Sequence, residues 1–489
     1  MIASSLFRIK VKNALVLFYV LCALLSTIVP APVGFGVYAV IIGSFFIISI
    51  VKFDLAVELS VLLLSMALIV RFSMPDNILM AGFRAELVLI LFLIALVFRL
   101  SQKSLLRMDV MLFSFVILLI VLISILSFTR YDLLSIVMLV FREQLLPLFL
   151  MIIFYFYVNG DKHKLVNLMD MLFISSAVVG FVTILSYTAI LDSPFSPYSI
   201  NALTKGNIGS GNFIATRQIF GFHIPRMNLL TGGSVGGGGL FMSIMLVYSL
   251  LRVTYLKEVP KCIGKYTWFI LTGIVAMSFL LAVSFTSYLY LLIVFFVLML
   301  KFFGRLSFFM FFPMIIIMPI LLGYIELGVD VGRKLTLLEY IINLSSKFTD
   351  YFAQYTLVEH MIGYGFDVRS SVAGIRDMPR DLGVMSVYAS LGVVGTGLYL
   401  ALFIILFAKF RKPVFQNYRL PVLLILIGSL LLLHGSPFVT RPFDLLIAIC
   451  IAWVFSVSNS TSKLFSASFV IRSNRNVDRE KNGCAQPPS

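Results

Sequence analysis

Apolar residues in this chain come in long unbroken runs, and polar residues collect in the gaps between them. The runs lie at about 13–29, 34–51, 55–70, 85–99, 110–128, 133–157, 168–190, 229–251, 267–284, 287–303, 306–324, 383–408, 420–435 and 443–458. Each is close to the roughly 20 residues that cross the hydrocarbon core of a bilayer as a helix. The pattern predicts an all-α polytopic membrane protein with about 14 transmembrane helices (12–14). Arg8, Lys10 and Lys12 precede the first run, as in a signal peptide, but no small-residue cleavage site follows and more apolar runs come after it. We read it as a retained helix.

Most gaps are short. Two are long, at about 191–228 and 325–382, and long connections are where function concentrates. The first carries Asp192, Lys205, Arg217, His223 and Arg226. The second carries Arg333, Lys334, Glu339, Lys347, Glu359, His360, Asp367, Arg369, Arg376, Asp377, Arg380 and Asp381. Within it, 333–362 spaces Leu335, Leu338, Ile341, Ile342 and Leu344 at helical intervals, which fits short amphipathic helices lying on a membrane surface or packed on the rest of the loop. "GYGF" (363–366) then marks a tight turn. No internal repeat is visible, so residues 1–460 form a single integral membrane domain, and the polar tail 461–489 has the composition of a disordered segment.

Composition agrees: 60% of the 489 residues are hydrophobic and only 12% charged. The net charge of +16 does not point to nucleic acid. With alternating spans and a cytoplasmic N-terminus, the clusters Arg99, Lys103, Arg107; Arg252, Lys257, Lys261, Lys265; Lys409, Arg411, Lys412, Arg419; and Arg472, Arg475, Arg479 all fall on the cytoplasmic side. That is the positive-inside pattern, which places both termini in the cytoplasm and both long loops outside it. Of four cysteines, Cys22 and Cys450 lie in apolar runs and Cys262 and Cys484 in cytoplasmic gaps, so no disulfide framework or metal cluster follows.

The stretch 222–241, "FHIPRMNLLTGGSVGGGGLF", sets a histidine and an arginine ahead of a glycine run. It lacks the lysine of a Walker A loop, and a βαβ unit of the kind a dinucleotide fingerprint requires is implausible here. Gly232/Gly236 and Gly233/Gly237 each have the spacing that lets membrane helices approach closely. The same glycines at a helix mouth would leave backbone N–H groups accessible to an anion, with Arg226 and His223 nearby. Both readings stand.

Arg226, ten intervening residues and Gly237, in a loop opening onto a membrane helix, resemble the Arg-x10-Gly pattern of the O-antigen polymerase (Wzy) family. "IGYGF" (362–366) followed by "RDLGVMSVYASLGVVGTGLYL" (380–400) is similar to the second signature region of the wider O-antigen ligase and polymerase superfamily. The likeness covers roughly 217–400. Arg380 and Gly392 are separated by eleven residues rather than ten, and Asp381 stands where ligases commonly carry histidine. The resemblance implies a GT-C-like architecture in the bacterial cytoplasmic (inner) membrane. It further implies transfer of a growing glycan from undecaprenyl diphosphate to the terminal sugar of an incoming lipid-linked repeat unit on the outer face. The partners implied are undecaprenyl-diphosphate-linked oligosaccharide, the bilayer and a chain-length regulator protein.

A diphosphate leaves already ionised and needs charge stabilisation rather than a proton. No Asp-x-Asp occurs in the chain, so no metal or other cofactor is expected, and arginine is the available substitute. Arg226 is the first candidate, followed by Arg380, Arg376, Arg369 and Arg217; His223, Gly237, Gly363, Gly365 and Arg142 join them as substrate-binding candidates. The attacking hydroxyl must lose a proton. Asp381 is the first candidate base, with Glu359 and His360 next. Arg142 and Glu143 lie within an apolar run, where ionisable groups usually face a cavity or one another, and Pro147 is expected to kink that helix. His434, Arg441 and Asp444 form a further polar turn, read as structural. Two alternatives stay open: a ligase that moves glycan onto lipid A core, and a flippase for lipid-linked oligosaccharide.

Overall fold

The computed structural model describes residues 2–29, 31–67, 69, 83–100, 110–128, 145–159, 161–187, 215–219, 222–226, 235–254, 264–282, 285–303, 352–353, 355–363, 383–411 and 444–457. In chain order these form α1 (Ile2–Ile28), α2 (Ala31–Val51), α3 (Phe53–Ser65), α4 (Phe83–Leu100), α5 (Val110–Phe128), α6 (Leu146–Val158) and α7 (Lys162–Tyr187). There follow β1 (Ala215–Ile219), β2 (Phe222–Arg226), α8 (Val235–Thr254), α9 (Lys265–Ala282), α10 (Phe285–Phe303), α11 (Leu357–Ile362) and α12 (Gly383–Phe410), and then α13 (Asp444–Val457). The expected spans 306–324 and 420–435 and the tail 461–489 lie outside the described residues.

The chain is a helical membrane protein. Among the described residues, four helical stretches are long and apolar enough to cross a bilayer: Val33–Val51, His163–Ile184, Lys265–Ala282 and Leu391–Phe410. The remaining helices add shorter apolar stretches such as Val11–Ser26 and Met111–Leu126. Their outward faces are greasy. Leu17, Leu21 and Leu25 repeat every fourth residue on α1 and are about half exposed, whereas Tyr19, Ala23 and Ser26 are buried. An exposed leucine stripe over a buried face that includes a hydroxyl and a phenol suits hydrocarbon rather than water.

Helix α3 is the hub, packing against α1, α2, α4, α6 and α7. A second group, α7 to α10, packs beside it, and α13 is buried along its whole length. Close approach needs small residues: Gly180 of α7 faces Ser278 of α9 so tightly that a Cβ would lie 2.4 Å from Ser278 Oγ. Pro147 stands in the first turn of α6, where a missing N–H costs nothing. Residues 133–144, the part of the expected span on the other side of this proline, lie outside the described residues.

Polar contacts show how the helix ends align. Lys12 of α1 pairs with Glu58 of α3, and Glu58 accepts hydrogen bonds from Tyr157 Oη (2.5 Å) and Asn167 Nδ2 (3.1 Å). Lys164 pairs with Asp54 at 2.8 Å. Asp170 of α7 accepts from Tyr248 Oη (2.7 Å) and Arg252 Nε (3.4 Å) of α8. These groups tie the starts of α3 and α7 to the ends of α6 and α8. Removing one member of a buried pair costs about 3–5 kcal/mol, because its partner stays charged and unpaired. At the opposite end, Arg84 of α4 pairs with Asp444 of α13, Tyr38 of α2 donates to Glu86, and Ser26 Oγ donates to Ile69 O. Lys409, at the end of α12, lies over the Phe455 ring near the end of α13. Helices α8 and α12 therefore both begin at the Arg84 end.

One departure from the all-helical expectation is β1–β2, an antiparallel hairpin in the first long gap. Its strands are five residues each with alternating character, Ala-Thr-Arg-Gln-Ile and Phe-His-Ile-Pro-Arg. Two strands leave both as edges, where Pro225 is tolerated.

Candidate functional site

The hairpin register decides which candidates can act together. Ala215 pairs with Arg226, Arg217 with Ile224 and Gln218 with His223. Residues alternate faces along a strand, and directly opposed residues share a face. Arg217 and Arg226 therefore lie on one face as diagonal neighbours, a relation that separates Cα atoms by about 7–8 Å. His223 lies on the other. The register thus sets Arg226 and Arg217 at positions that share a face and His223 opposite Gln218. Two guanidinium-bearing positions at that separation suit a dianion.

Eight residues after β2 the glycine run begins α8. Gly236 to Gly239 occupy the first turn after Val235, and Gly238 and Gly239 are buried. Close helix packing is therefore part of what these glycines do, and Gly237 sits within the same turn. The two described strands of this region are antiparallel neighbours, not the parallel pair of a βαβ unit.

The second region is built around α11 and the start of α12. Thr356 caps α11: its Oγ1 accepts from Glu359 N (3.3 Å), while Glu359 Oε2 accepts from Thr356 N (2.8 Å) and Thr356 Oγ1 (2.9 Å). This reciprocal pair is a capping box. It commits the Glu359 carboxylate to the backbone. Gly363 ends α11 with φ 83°, and its N–H donates to Glu359 O at 2.8 Å. Only glycine takes that conformation freely.

Helix α12 is broken at Gly392, where φ is 62° and ψ is −162°. The expected span 383–408 thus divides into a first segment up to the break and an apolar stretch, Leu391–Phe410, that continues through the bundle. The break lets α11 lie directly against α12. A Cβ at Gly392 would fall 2.5 Å from Met361 C and O and from Gly363 N. Gly363 and Gly392, far apart in sequence, meet backbone to backbone.

His360 sits in this contact. Its Nδ1 and Tyr388 Oη are joined by a hydrogen bond of 2.8 Å, and its ring lies 5.6 Å from that of Tyr355. Phe352 meets Tyr388 edge to face at 4.9 Å and Tyr355 at 5.3 Å. His360, Tyr355, Tyr388 and Phe352 are all half-buried. Tyr388, Tyr355 and Phe352 did not figure among the sequence candidates. Their signal was two aromatic residues a few positions ahead of the histidine and one on the following helix, which only a fold could bring together.

Arg142, Glu143, Gly365, Arg369, Arg376, Arg380, Asp381, His434 and Arg441 lie outside the described residues. Asp444 is buried against Arg84, and one of its oxygens accepts from Leu445 N at 2.9 Å, which agrees with a structural role. The charged groups at the Glu58 end were also absent from the candidates, although Asp54 and Glu58 four residues apart in a helix, and Lys164, Asn167 and Asp170 at intervals of three, share faces. Among the described residues, no group of three or more His, Cys, Asp or Glu side chains comes together in a way that could hold a metal ion. Compared with protein-family models, with curated proteins and with solved structures, the chain matches none.

Proposed function

We propose that the chain is a membrane glycosyltransferase that polymerises lipid-linked repeat units, taking a growing glycan from undecaprenyl diphosphate to the terminal sugar of an incoming unit. In this reading the chain crosses the bacterial inner membrane about 14 times, with both termini cytoplasmic. The Glu58 end of the bundle then faces the cytoplasm and the Arg84 end faces outward.

The observation that carries the reading is the shared end of α8 and α12. Both long gaps, which hold nearly all the candidate chemistry, lead into helices that begin at the same end of the bundle. At the Glu58 end, by contrast, paired charges tie α1, α3, α7 and α8 together, and the Tyr157 hydrogen bond adds α6. A lipid-linked substrate held in the bilayer could present its diphosphate and first sugar to the outer end without passing through the protein.

The division of labour follows from charge. Arg226, with Arg217 on the same hairpin face, stabilises the diphosphate as it departs. A base accepts the proton of the attacking sugar hydroxyl, and Asp381 is assigned that role, with His360 the alternative on the described side of the site. One displacement at the anomeric carbon inverts its configuration: the C–O bond to diphosphate breaks as the bond to the acceptor oxygen forms. No metal takes part in this account.

The test separates the two ends of the transfer. Arg226→Ala should weaken use of the lipid-linked donor about 10- to 150-fold, the scale of a lost charge-assisted hydrogen bond, and Arg226→Lys should retain part of it. Asp381→Asn should leave donor binding intact and lower turnover about 10²- to 10⁴-fold. Donor binding and polymerisation rate on folded variants read both. Unchanged donor use in Arg226→Ala would reduce the hairpin and glycine run to a packing device.

A further inference from the structure

Tyr388 engages a chemistry-bearing ring, that of His360. It reaches His360 from a different element, and three features set the geometry. Phe352 holds the Tyr388 ring edge to face, Tyr355 Oη donates across to Ala389 O at 3.5 Å, and the glycine at 392 lets the α11 backbone come within contact of α12. Two anchors lie on α12 before its break and two lie beside α11. The His360–Tyr388 hydrogen bond is the point where they converge.

We infer that Tyr388 is a positioning residue for His360: its hydroxyl engages Nδ1, fixes the ring orientation, and leaves Nε2 as the ring nitrogen open to a substrate oxygen. A neutral imidazole has one N–H and one lone pair, and a hydroxyl can accept from the one or donate to the other, so the bond at Nδ1 holds the ring in either tautomer. With Nδ1 engaged by a hydroxyl that is itself held by Phe352 and the Gly392 contact, ring flipping would break a hydrogen bond and reopen a packed aromatic cluster. Among the described residues Nε2 has no hydrogen-bond partner. The purpose given to this device, presenting His360 to a sugar hydroxyl or phosphate oxygen, rests on the proposed transfer reaction. Its existence rests on the geometry alone.

Tyr388→Phe is the discriminating variant, because it removes one oxygen and keeps the ring that packs on Phe352. The chain has four histidines, so a histidine-¹⁵N-labelled sample in lipid nanodiscs gives few signals, and His360→Gln identifies the one of interest. Long-range ¹H–¹⁵N spectra resolve the two ring nitrogens, and the Nδ1 signal reports its hydrogen bond. The native protein should show one ordered, hydrogen-bonded Nδ1 environment for His360. Tyr388→Phe should shift that signal to a non-bonded value and broaden both ring nitrogens while leaving His163, His223 and His434 unchanged, and Gly392→Ala should do the same where it folds. An unaltered His360 signal in Tyr388→Phe would overturn the inference.

A second readout separates this from the functional reading. In native membranes carrying the lipid-linked glycan precursor, Tyr388→Phe should slow glycan elongation roughly five- to tenfold, the scale of one neutral hydrogen bond, without raising the precursor concentration needed for half-maximal rate. A lost Nδ1 hydrogen bond and ring order with normal elongation would leave the positioning in place and remove His360 from the proposed reaction.

Discussion

Glu359 illustrates how a carboxylate in a promising place can already be engaged. Its side chain holds the first turn of α11 through Thr356, so its chemistry is that of a helix cap. Glutamine serves a capping box as well as glutamate. Glu359→Gln is therefore expected to melt within a degree or two of the native protein and to retain polymer synthesis within about twofold, whereas Glu359→Ala should lose about 1 kcal/mol of local stability. Thermal unfolding by fluorescence-detected size exclusion, run beside a polymer ladder assay, measures both. A collapse of synthesis in the glutamine variant with normal melting would give the carboxylate charge a catalytic part. The Thr-x-x-Glu signature was open to inspection in the sequence, since capping is local. The sorting of Arg217 and Arg226 from His223 was not, because strand faces depend on register and nothing in the glycine-rich flank announces a hairpin.

Helix α12 carries the same lesson to the scale of elements. Its apolar run predicts an uninterrupted crossing, and its hydrophobic pattern is that of one; the break comes from a single backbone conformation at Gly392. A residue with a side chain pays about 1–3 kcal/mol to adopt this glycine-only conformation, and here a Cβ would also collide with the backbone of Met361 and Gly363. Gly392→Ala should therefore displace α11 and abolish polymer synthesis. Gly397→Ala, five residues along, meets nothing within 4 Å and should be neutral or slightly stabilising, as alanine is the better helix former. Comparing the two by thermal unfolding and by polymer ladder isolates the contact. Equal tolerance of both would mean that α11 need not lie against α12. Helix existence was legible from periodicity, and the close approach was foreshadowed by glycine content. Which glycine bends the chain was not, since composition does not encode φ.

For the whole molecule, the run of apolar segments conveyed the class of protein, because a bilayer imposes length and hydrophobicity on every crossing. It did not convey which ends meet. That came from pairs such as Lys12 with Glu58 and Arg84 with Asp444, between residues remote in sequence. The proposed orientation predicts that single cysteines at Ser210 and Ser371, in a background lacking the four native cysteines, react with a membrane-impermeant maleimide in intact spheroplasts. Protection of either until lysis would reverse the assignment of the outer end. The account's central claim is narrower than topology: the chain itself joins sugars. Purified in detergent with synthetic lipid-linked repeat unit, without a membrane potential or another protein and with excess EDTA, it should produce a ladder of glycans that lengthen one repeat at a time. Unextended substrate in that assay, together with movement of the same lipid-linked unit across sealed vesicles containing the protein, would contradict the claim and make the chain a flippase.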